Sequence, residues 1–320
     1  MKPALEFVAA GIHTTVQDCG RFGYQDVGVP PSGPLDHISL RLANALVGNP
    51  ATAPVLEMLL QGPTLKVAAD SVRVALVGCN AEIEIRSGNA RSVPAGQSVR
   101  LVRDDVFRIG ALRDSVCAYL AIEGGPDVPL VLASASTYVR GAIGGFQGRR
   151  LAARDRLPLN LASVDIRGER ALRQPLDLAP DQMIRVVLGP QADYFTDAAM
   201  ATFLAEEYTI SPQADRMGFR LAGPVLAHAK GYNIVSDGIV TGAIQVPGSG
   251  LPIILMVDHQ TAGGYPKIAT VISADIPVVG RRRPGRAVRF IAVDVPAAEL
   301  LHREQAAALS AACENFLAVP

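Results

Sequence analysis

Between Leu65 and Leu120 the chain is a succession of short apolar or alternating stretches broken by turn residues: LKVAA, VRVALVG, AEIEIRSG, SVPAGQSVRLV, FRIGAL and CAYLAIEGG. Side chains on a strand alternate between its two faces, so period-two patterning over four to eight residues marks half-buried strands. The spacing predicts about six strands here and an all-β stretch. The 30 glycines and 23 prolines favour many turns and short strands over long helices. Aromatic residues make up only 5% and Trp is absent, so the core must be aliphatic.

A few helices punctuate this pattern. Leu35, Ile38, Leu42 and Leu46 recur at helical spacing, Asp36 stands where that helix should start, and Gly48 stops it. Asn44 falls within the helix and Asn49 just after it. A second short helix or turn is expected over Ala51–Leu60, with Glu57 in an apolar setting. Residues 160–182 are polar and weakly patterned, the best linker candidate. A second unit then opens with MIRVVLGPQADYF: a strand at Ile184–Leu188, a Gly-Pro turn, and a helix near Asp193–Ala205. A strand at Ala287–Val293 follows a basic turn, and residues 296–317 read as an amphipathic helix docked by Leu300, Leu301, Ala308, Leu309 and Phe316. The expected fold is mainly β with a few helices in two β-rich units: residues 1–175, residues 176–295, and a C-terminal helix at 296–320.

Charge narrows the function. Lys plus Arg and Asp plus Glu are 30 each, so no global field attracts nucleic acid or a membrane surface. No apolar run approaches the roughly 18 residues of a membrane span. The N-terminus reads as a first strand rather than a signal peptide, and the expected compartment is the cytoplasm. Cys19, Cys79, Cys117 and Cys313 are widely spaced and read as buried thiols. The five histidines lack metal-ligand spacing, so no metal site is expected. GAIGGFQGR lacks the Lys-Ser or Lys-Thr of a phosphate loop, and SASTY contains no G-x-S-x-G elbow.

The segment that gathers chemistry is residues 235–275. Two apolar runs, Ala243–Val246 and Leu251–Val257, flank the turn Pro247–Gly250 and empty into DHQTAGGYPK. A rigid strand ending in a polar, glycine-bearing loop is a common way to build a site. Asp258, Gln260 and Lys267 supply a carboxylate and donors within ten residues and are the candidate catalytic groups. The candidate substrate-binding residues are Asp36, Asn44, Arg216, Asp237, Thr261, Gly263, Gly264 and Tyr265. Lys267 is either a donor to an anionic group or a solvated surface lysine. Arg216 is either a ligand cation or half of a structural ion pair.

Several strings together carry a resemblance: HTTVQDCGRFGYQDVGVPPSGPLD, LANALVGNP, LEMLLQGP, YLAIEGG, FQGRRL, GPQADYF, ADRMGFRLAGP, and GAIQVPGSGLPIILMVDHQTAGGYPKIATVISADIP. They run collinearly over residues 5–293 and resemble the biotin-dependent carboxyltransferase family, subdomains A and B. This group includes allophanate hydrolase subunit 2 and the C-type subunit of bacterial 5-oxoprolinase. The resemblance implies at least one cyclophilin-like β-barrel and a smaller partner subunit of carboxyltransferase type. With a third subunit, such a complex would open 5-oxoproline to glutamate at the expense of ATP used by a partner. Other members imply carboxyl transfer to urea, in which biotin would take part, or a regulatory role against a kinase inhibitor. The implied ligand is a small cyclic amide or urea-like molecule. The chain departs from the family's usual pattern at His259, where Arg is expected, near Gly280, where Gln is expected, and at Cys79 and Asn80, where small apolar residues are usual.

Overall fold

The computed structural model describes residues 2–88, 90–178 and 182–319. The chain is mainly β, with four helices among the described residues. They are α1 (His37–Val47), α2 (Asp197–Ala205), α3 (Ile276–Arg281) and α4 (Val295–Glu314). It divides into two compact units. Unit one comprises Met1–Arg21, Ser32–Leu178 and Ala308–Pro320; unit two comprises Phe22–Pro31 and Ala179–Ala307. Each unit thus includes a segment from the far side of the main division. Of the linker expected at 160–182, residues 179–181 lie outside the described residues.

In unit one a six-stranded sheet runs Arg156–Pro158, Ala4–Ala9, Thr64–Val67, Val106–Ile109, Glu82–Ile85, Arg91–Pro94. A five-stranded sheet runs His13–Gln17, Val55–Leu59, Cys117–Ile122, Ser71–Val77, Ser98–Val102. Leu5, Phe7 and Phe107 from the first and Leu56, Leu76 and Leu120 from the second share one aliphatic core. The stretch expected to hold about six strands holds seven, because SVPAGQSVRLV is broken by a turn at 95–96 into two, which join different sheets. The helix or turn expected over Ala51–Leu60 is instead the strand Val55–Leu59. It pairs antiparallel with both His13–Gln17 and Cys117–Ile122, and those distant partners override the local pattern. Within the expected linker, Glu169–Leu172 is a strand paired with Phe316–Val319. Phe316 therefore belongs to a strand and not to the last helix, which ends at Glu314. Along that helix Leu309 is buried, whereas Leu300 is 51% exposed. Of the cysteines, Cys79 and Cys117 are buried, Cys313 is half-buried, and Cys19, expected inside, is exposed.

Helix α1 starts and stops as its sequence dictates. Asp36 Oδ1 accepts from the backbone N–H groups of Ile38 (3.0 Å) and Ser39 (3.2 Å), and Gly48 closes the helix with φ of 82°. The Asp36 amide donates to Tyr119 Oη (2.8 Å), which donates to Glu57 Oε2 (2.6 Å). Burial, together with Cys117, Glu57 and Asp36 nearby, pushes the Tyr119 phenol well above its ordinary pKa and keeps it a donor. Asn44 Nδ2 donates to Ala53 O (2.8 Å), and its Oδ1 accepts from Asn49 (3.0 Å), tying the helix end to the turn after it.

In unit two, eight strands form a nearly closed barrel sheet. The order is Ala287–Val288, Tyr208–Ile210, Gly218–Ala222, Ile253–Leu255, Ala243–Gln245, Lys267–Val271, Ile184–Leu188, Phe290–Ala292. Two runs expected to be longer strands are short here: Ala243–Gln245 and Ile253–Leu255. Ile244 and Ile254 are fully buried at its centre. Phe203 of α2 stacks on Phe290 at 4.6 Å and seals one side.

Asp36→Ala removes the α1 cap from a fully buried position. It should cost about 1–2 kcal/mol in urea unfolding, and an unchanged midpoint would remove Asp36 from the frame of unit one.

Candidate functional site

The strand Ala243–Gln245 lies between Ile253–Leu255 and Lys267–Val271, and Gln245 stands in register with Lys267 at a local irregularity of the ladder. Both side chains lie inside the sheet's cover: Gln245 is 2% exposed and Lys267 5%. Lys267 is therefore not a solvated surface lysine. Its Nζ donates to Asp237 Oδ2 (2.5 Å) and to Gly238 O (3.4 Å). Its backbone N–H donates to Gln191 Oε1 (3.3 Å). Gly189 lies so close to the Lys267 carbonyl that a Cβ there would collide with it, which explains a glycine in the GPQ turn.

Gln245 Oε1 accepts from Gln260 Nε2 (3.2 Å), and Gln245 Nε2 reaches Tyr265 O at 3.4 Å. Gly263 passes directly over this amide: a Cβ there would meet Gln245 Nε2 at 2.7 Å. Lys267, Asp237, Gln260, Gln245, Gln191 and Tyr265 thus form one polar cluster within unit two. Among the candidate binding residues of this loop, Gly263 belongs to Ala262–Gly263, which pairs with Asp237–Gly238 as a two-stranded ladder; Gly264 O accepts from Ile234 N (2.9 Å), and Thr261 O accepts from Ile239 N (3.1 Å). These bonds hold a mostly exposed flap, residues 229–240, across the cluster.

Asp237 contrasts with Lys267 in solvation. Its side chain is 53% exposed against 6% for the lysine's. The hydrogen bond from Lys267, then the Gly238 N–H and the lysine's charge, hold the Asp237 carboxyl below the usual carboxylate range.

Asp258 and Arg216 sit elsewhere in the same unit. Arg216 Nε donates to Asp258 Oδ2 (2.8 Å) and Nη2 to Oδ1 (3.1 Å), with both side chains below 10% exposure. The Asp258 N–H donates to Arg216 O (2.9 Å), so main chain and side chain form one clasp. By strand register the clasp lies beyond Gly242, three residues from Gln245, a separation of roughly 10 Å. Asp258 is thus not beside Lys267, and the fork geometry directs both of its oxygens to Arg216. Asp36 and Asn44 belong to unit one, where the helix-capping bonds described above hold them.

Two groups outside the sequence-derived set, Gln245 and Gln191, touch this cluster, and His259 lies next to it in the chain. Gln245 and Gln191 sit in strings rich in glycine and proline, and neither titrates, so charge patterning does not mark them. His259 is fully buried. Its Nδ1 lies 2.7 Å from Gln260 O, and its Nε2 has no hydrogen-bond partner among the described residues. With Nδ1–H donating to that carbonyl, Nε2 is a bare acceptor. Burial lowers the His259 pKa from 6.5, outweighing the opposite pull of the Gln260 carbonyl and Asp258.

Clefts in unit one carry less chemistry. One of ≈ 380 Å³ is lined by Val77, Cys79, Asn80, Pro94 and Leu176. Burial pushes the Cys79 thiol up to about 12, so it stays protonated and unreactive at neutral pH.

Two outcomes test this geometry. Asp258→Ala leaves a buried guanidinium without its carboxylate and should cost about 3 kcal/mol, the lower end for a broken buried pair, since Arg216 has further partners. A melting temperature within a degree of wild type would refute the clasp. For His259, the unfolded chain holds its proton near 6.5 and the folded chain only at lower pH. Its contribution to stability is therefore complete above about pH 6.5 and is lost as pH falls from there toward the folded value. Thermal melts from pH 7.5 to 5 should fall more steeply for wild type than for His259→Gln, and parallel curves would contradict this.

Comparison with known proteins agrees with the architecture. Residues 27–292 match the carboxyltransferase domain family, subdomains A and B. The chain is 36% identical over 291 residues to the C-type subunit of 5-oxoprolinase from Escherichia coli, covering 90% of each protein. It is 34% identical to a urea amidolyase of Lachancea kluyveri over 96% of this chain, but spans only 18% of that longer protein. The crystal structure of the K. lactis urea amidolyase superimposes with a TM-score of 0.87 at 31% identity, covering 98% of this chain and 20% of that one. A collinear match over most of the chain, with the same fold at 31% identity, leads to one conclusion: this protein belongs to the carboxyltransferase domain family, subdomains A and B.

Proposed function

We propose that this chain is the C-type subunit of an ATP-dependent 5-oxoprolinase, acting with a smaller carboxyltransferase-like subunit and a third, ATP-using subunit in the cytoplasm. The observation that carries the reading is the buried Lys267 ammonium beside the Gln245–Gln260 amide pair. 5-Oxoproline presents a carboxylate, a ring carbonyl and a ring N–H. Lys267 is complementary to the carboxylate, and the carboxamides of Gln260 and Gln245 to the lactam. In this reading the ligand-facing set is Lys267, Gln260, Gln245 and Tyr265, with Asp237 at its mouth, while Arg216, Asp258, Thr261, Gly263 and Gly264 position the loop that carries Gln260. Opening the ring adds water across the C–N bond and yields glutamate. This chain's part is to hold the lactam, offer donors to its carbonyl oxygen as charge develops there, and keep the ring oriented.

The close relationship in length and sequence to subunits named for that activity supports the assignment. The residues of GAIGGFQGR do not fit a nucleotide phosphate: Cβ atoms at Gly144 and Gly145 would collide with Ser136 and Thr137, so these glycines serve close packing and not an open cradle. That fits ATP use by a partner. A partner also has apolar surface to meet in unit two. Val27 and Val235 are 67% and 91% exposed, on segments joined by Gln25 Nε2 to Ile239 O at 3.3 Å. The second reading is a urea-type carboxyltransferase working with carboxybiotin. The K. lactis superposition favours it, and in that case the anionic group at Lys267 is the carboxyl being transferred.

Co-expression with a smaller carboxyltransferase-like subunit and an ATP-using subunit of the proposed type, followed by an ATP-dependent glutamate-release assay, tests the proposal. The assembled complex should release glutamate from 5-oxoproline, and the chain alone should not. Lys267→Met should assemble and melt like wild type while turnover falls at least roughly a hundredfold. Urea carboxylation by a complex inert toward 5-oxoproline would select the second reading.

A further inference from the structure

The ion pair between Lys267 and Asp237 joins two unlike environments. The ammonium rises from a central strand and is nearly out of water. The carboxylate comes from the exposed flap and remains half in solvent. Lys267 is anchored by the sheet ladder, by Gln191 against its amide and by the close approach of Gly189 to its carbonyl. The flap stands largely in solvent. Among the described residues its ties between Ala229 and Ile239 include Ala229 N to Tyr194 O (2.7 Å), Ile234 N to Gly264 O (2.9 Å), Ile239 N to Thr261 O (3.1 Å), the short Asp237–Gly238 ladder, Gln25 Nε2 to Ile239 O (3.3 Å), Lys267 Nζ to Gly238 O (3.4 Å) and a Lys230–Asp193 ion pair. Ile239, packed with Ala243 and Leu255, is its buried foot. Ser236, Asp237 and Gly238 are exposed beside it. Few buried contacts and a mostly solvated backbone mark a segment of low local stability.

A buried cation selects an anion, and in the resting chain that anion comes from a lightly held element of the protein itself. We propose that Asp237 is an exchangeable internal occupant of a carboxylate subsite: a ligand carboxylate takes its place on Lys267 Nζ, and the flap, freed of its latch, moves aside and re-seats after product leaves. This rests on the reading of the cluster as a site for a carboxylate-bearing cyclic amide, and it reverses the role of Asp237 from binding group to competitor. No covalent bond changes in the exchange, and one carboxylate replaces another, so the charge next to Lys267 is conserved. A neutral analogue cannot make the exchange. The subsite therefore discriminates acids from uncharged lactams by a mechanism additional to direct attraction.

Competition has a distinctive sign. A group that contacts ligand weakens binding when removed, whereas an internal competitor strengthens it, because the competent fraction rises. The test is calorimetric titration of the full chain, or of the assembled complex, with 5-oxoproline and with uncharged 2-pyrrolidinone as probes. Asp237→Asn should tighten 5-oxoproline by at least about threefold and leave 2-pyrrolidinone unchanged, while the amide of Ile239 exchanges hydrogen faster than in wild type. Lys267→Gln should abolish the preference for the acid over the neutral lactam. If Lys267→Gln weakens 5-oxoproline but Asp237→Asn weakens it too, or leaves it alone, the latch is overturned and the site stands. If Lys267→Gln binds 5-oxoproline as wild type does, or no form of the protein binds it, the site reading fails and the latch fails with it. Melting temperatures of both variants within a few degrees of wild type confirm that the comparison is between folded proteins.

Discussion

The clasp between Arg216 and Asp258 fixes where the candidate site can be. Two charges nearly removed from water must satisfy one another, and a bidentate guanidinium–carboxylate fork does so in only one relative orientation. Asp258 also follows directly from the barrel strand Ile253–Leu255 through Met256, whose N–H donates to Met217 O at 2.9 Å. The loop after it therefore leaves the sheet at a set point and in a set direction. Gln260, Thr261 and Gly263 are carried back along the sheet until Gln260 meets Gln245 and Gly263 covers it. Relaxing the clasp would shift every later member of the cluster.

The two ion pairs of unit two differ in the quantity that matters. Breaking a pair buried on both sides leaves an uncompensated charge and costs several kcal/mol, so Arg216–Asp258 behaves as scaffold. A pair with one member well solvated can trade that member for water or another anion at small cost. Lys267–Asp237 is of this second kind, and only on the aspartate side. The distinction separates the two: Asp258, the first residue of DHQTAGGYPK, is locked in the clasp, and Lys267, the last of that string and the first residue of a core strand, is the group proposed to meet a ligand.

How much of this the sequence discloses depends on the range of the interaction involved. The N-cap at Asp36, the Gly48 stop and the alternating strands after Leu65 are set by contacts within a few residues, and local rules reach them. Val55–Leu59 is misread as helix or turn because VLEML is a short apolar run. What makes it a strand is pairing with partners about forty and sixty residues away. The same holds for Glu169–Leu172, paired with Phe316–Val319 across nearly half the chain. In the site, the charged residues are legible as a set but not as pairs. Asp258 and Lys267 are near in sequence and apart in the fold, whereas Lys267 and Asp237 meet across a gap of 30 residues. Gln245 and Gln191 carry no charge, and a glutamine in an apolar strand gives no sign of joining a polar cluster until burial and partners are known.

Membership of one family does not by itself choose between amide opening and carboxyl transfer, since function resides in groups placed on a shared scaffold. The placement here narrows that choice. Both chemistries present a carboxylate to the enzyme, on the amino-acid ring in one and on the carried cofactor in the other, and under the proposed reading the buried Lys267, on a central strand, suits either. They differ in what must lie beside the anion. A lactam needs an acceptor for its N–H within a few ångströms of the cation, and a carboxamide pair bonded at 3.2 Å supplies acceptor and donor together. A transferable carboxyl needs a water-free path to a second nucleophile. The flap that covers the cluster is mostly exposed, and it is secured by backbone bonds together with Gln25 on the Ile239 carbonyl and the Lys230–Asp193 and Lys267–Asp237 ion pairs. Under the proposed reading, a cover that stands mostly in solvent suits a reaction that consumes water better than one that must protect a carboxylated carrier from it.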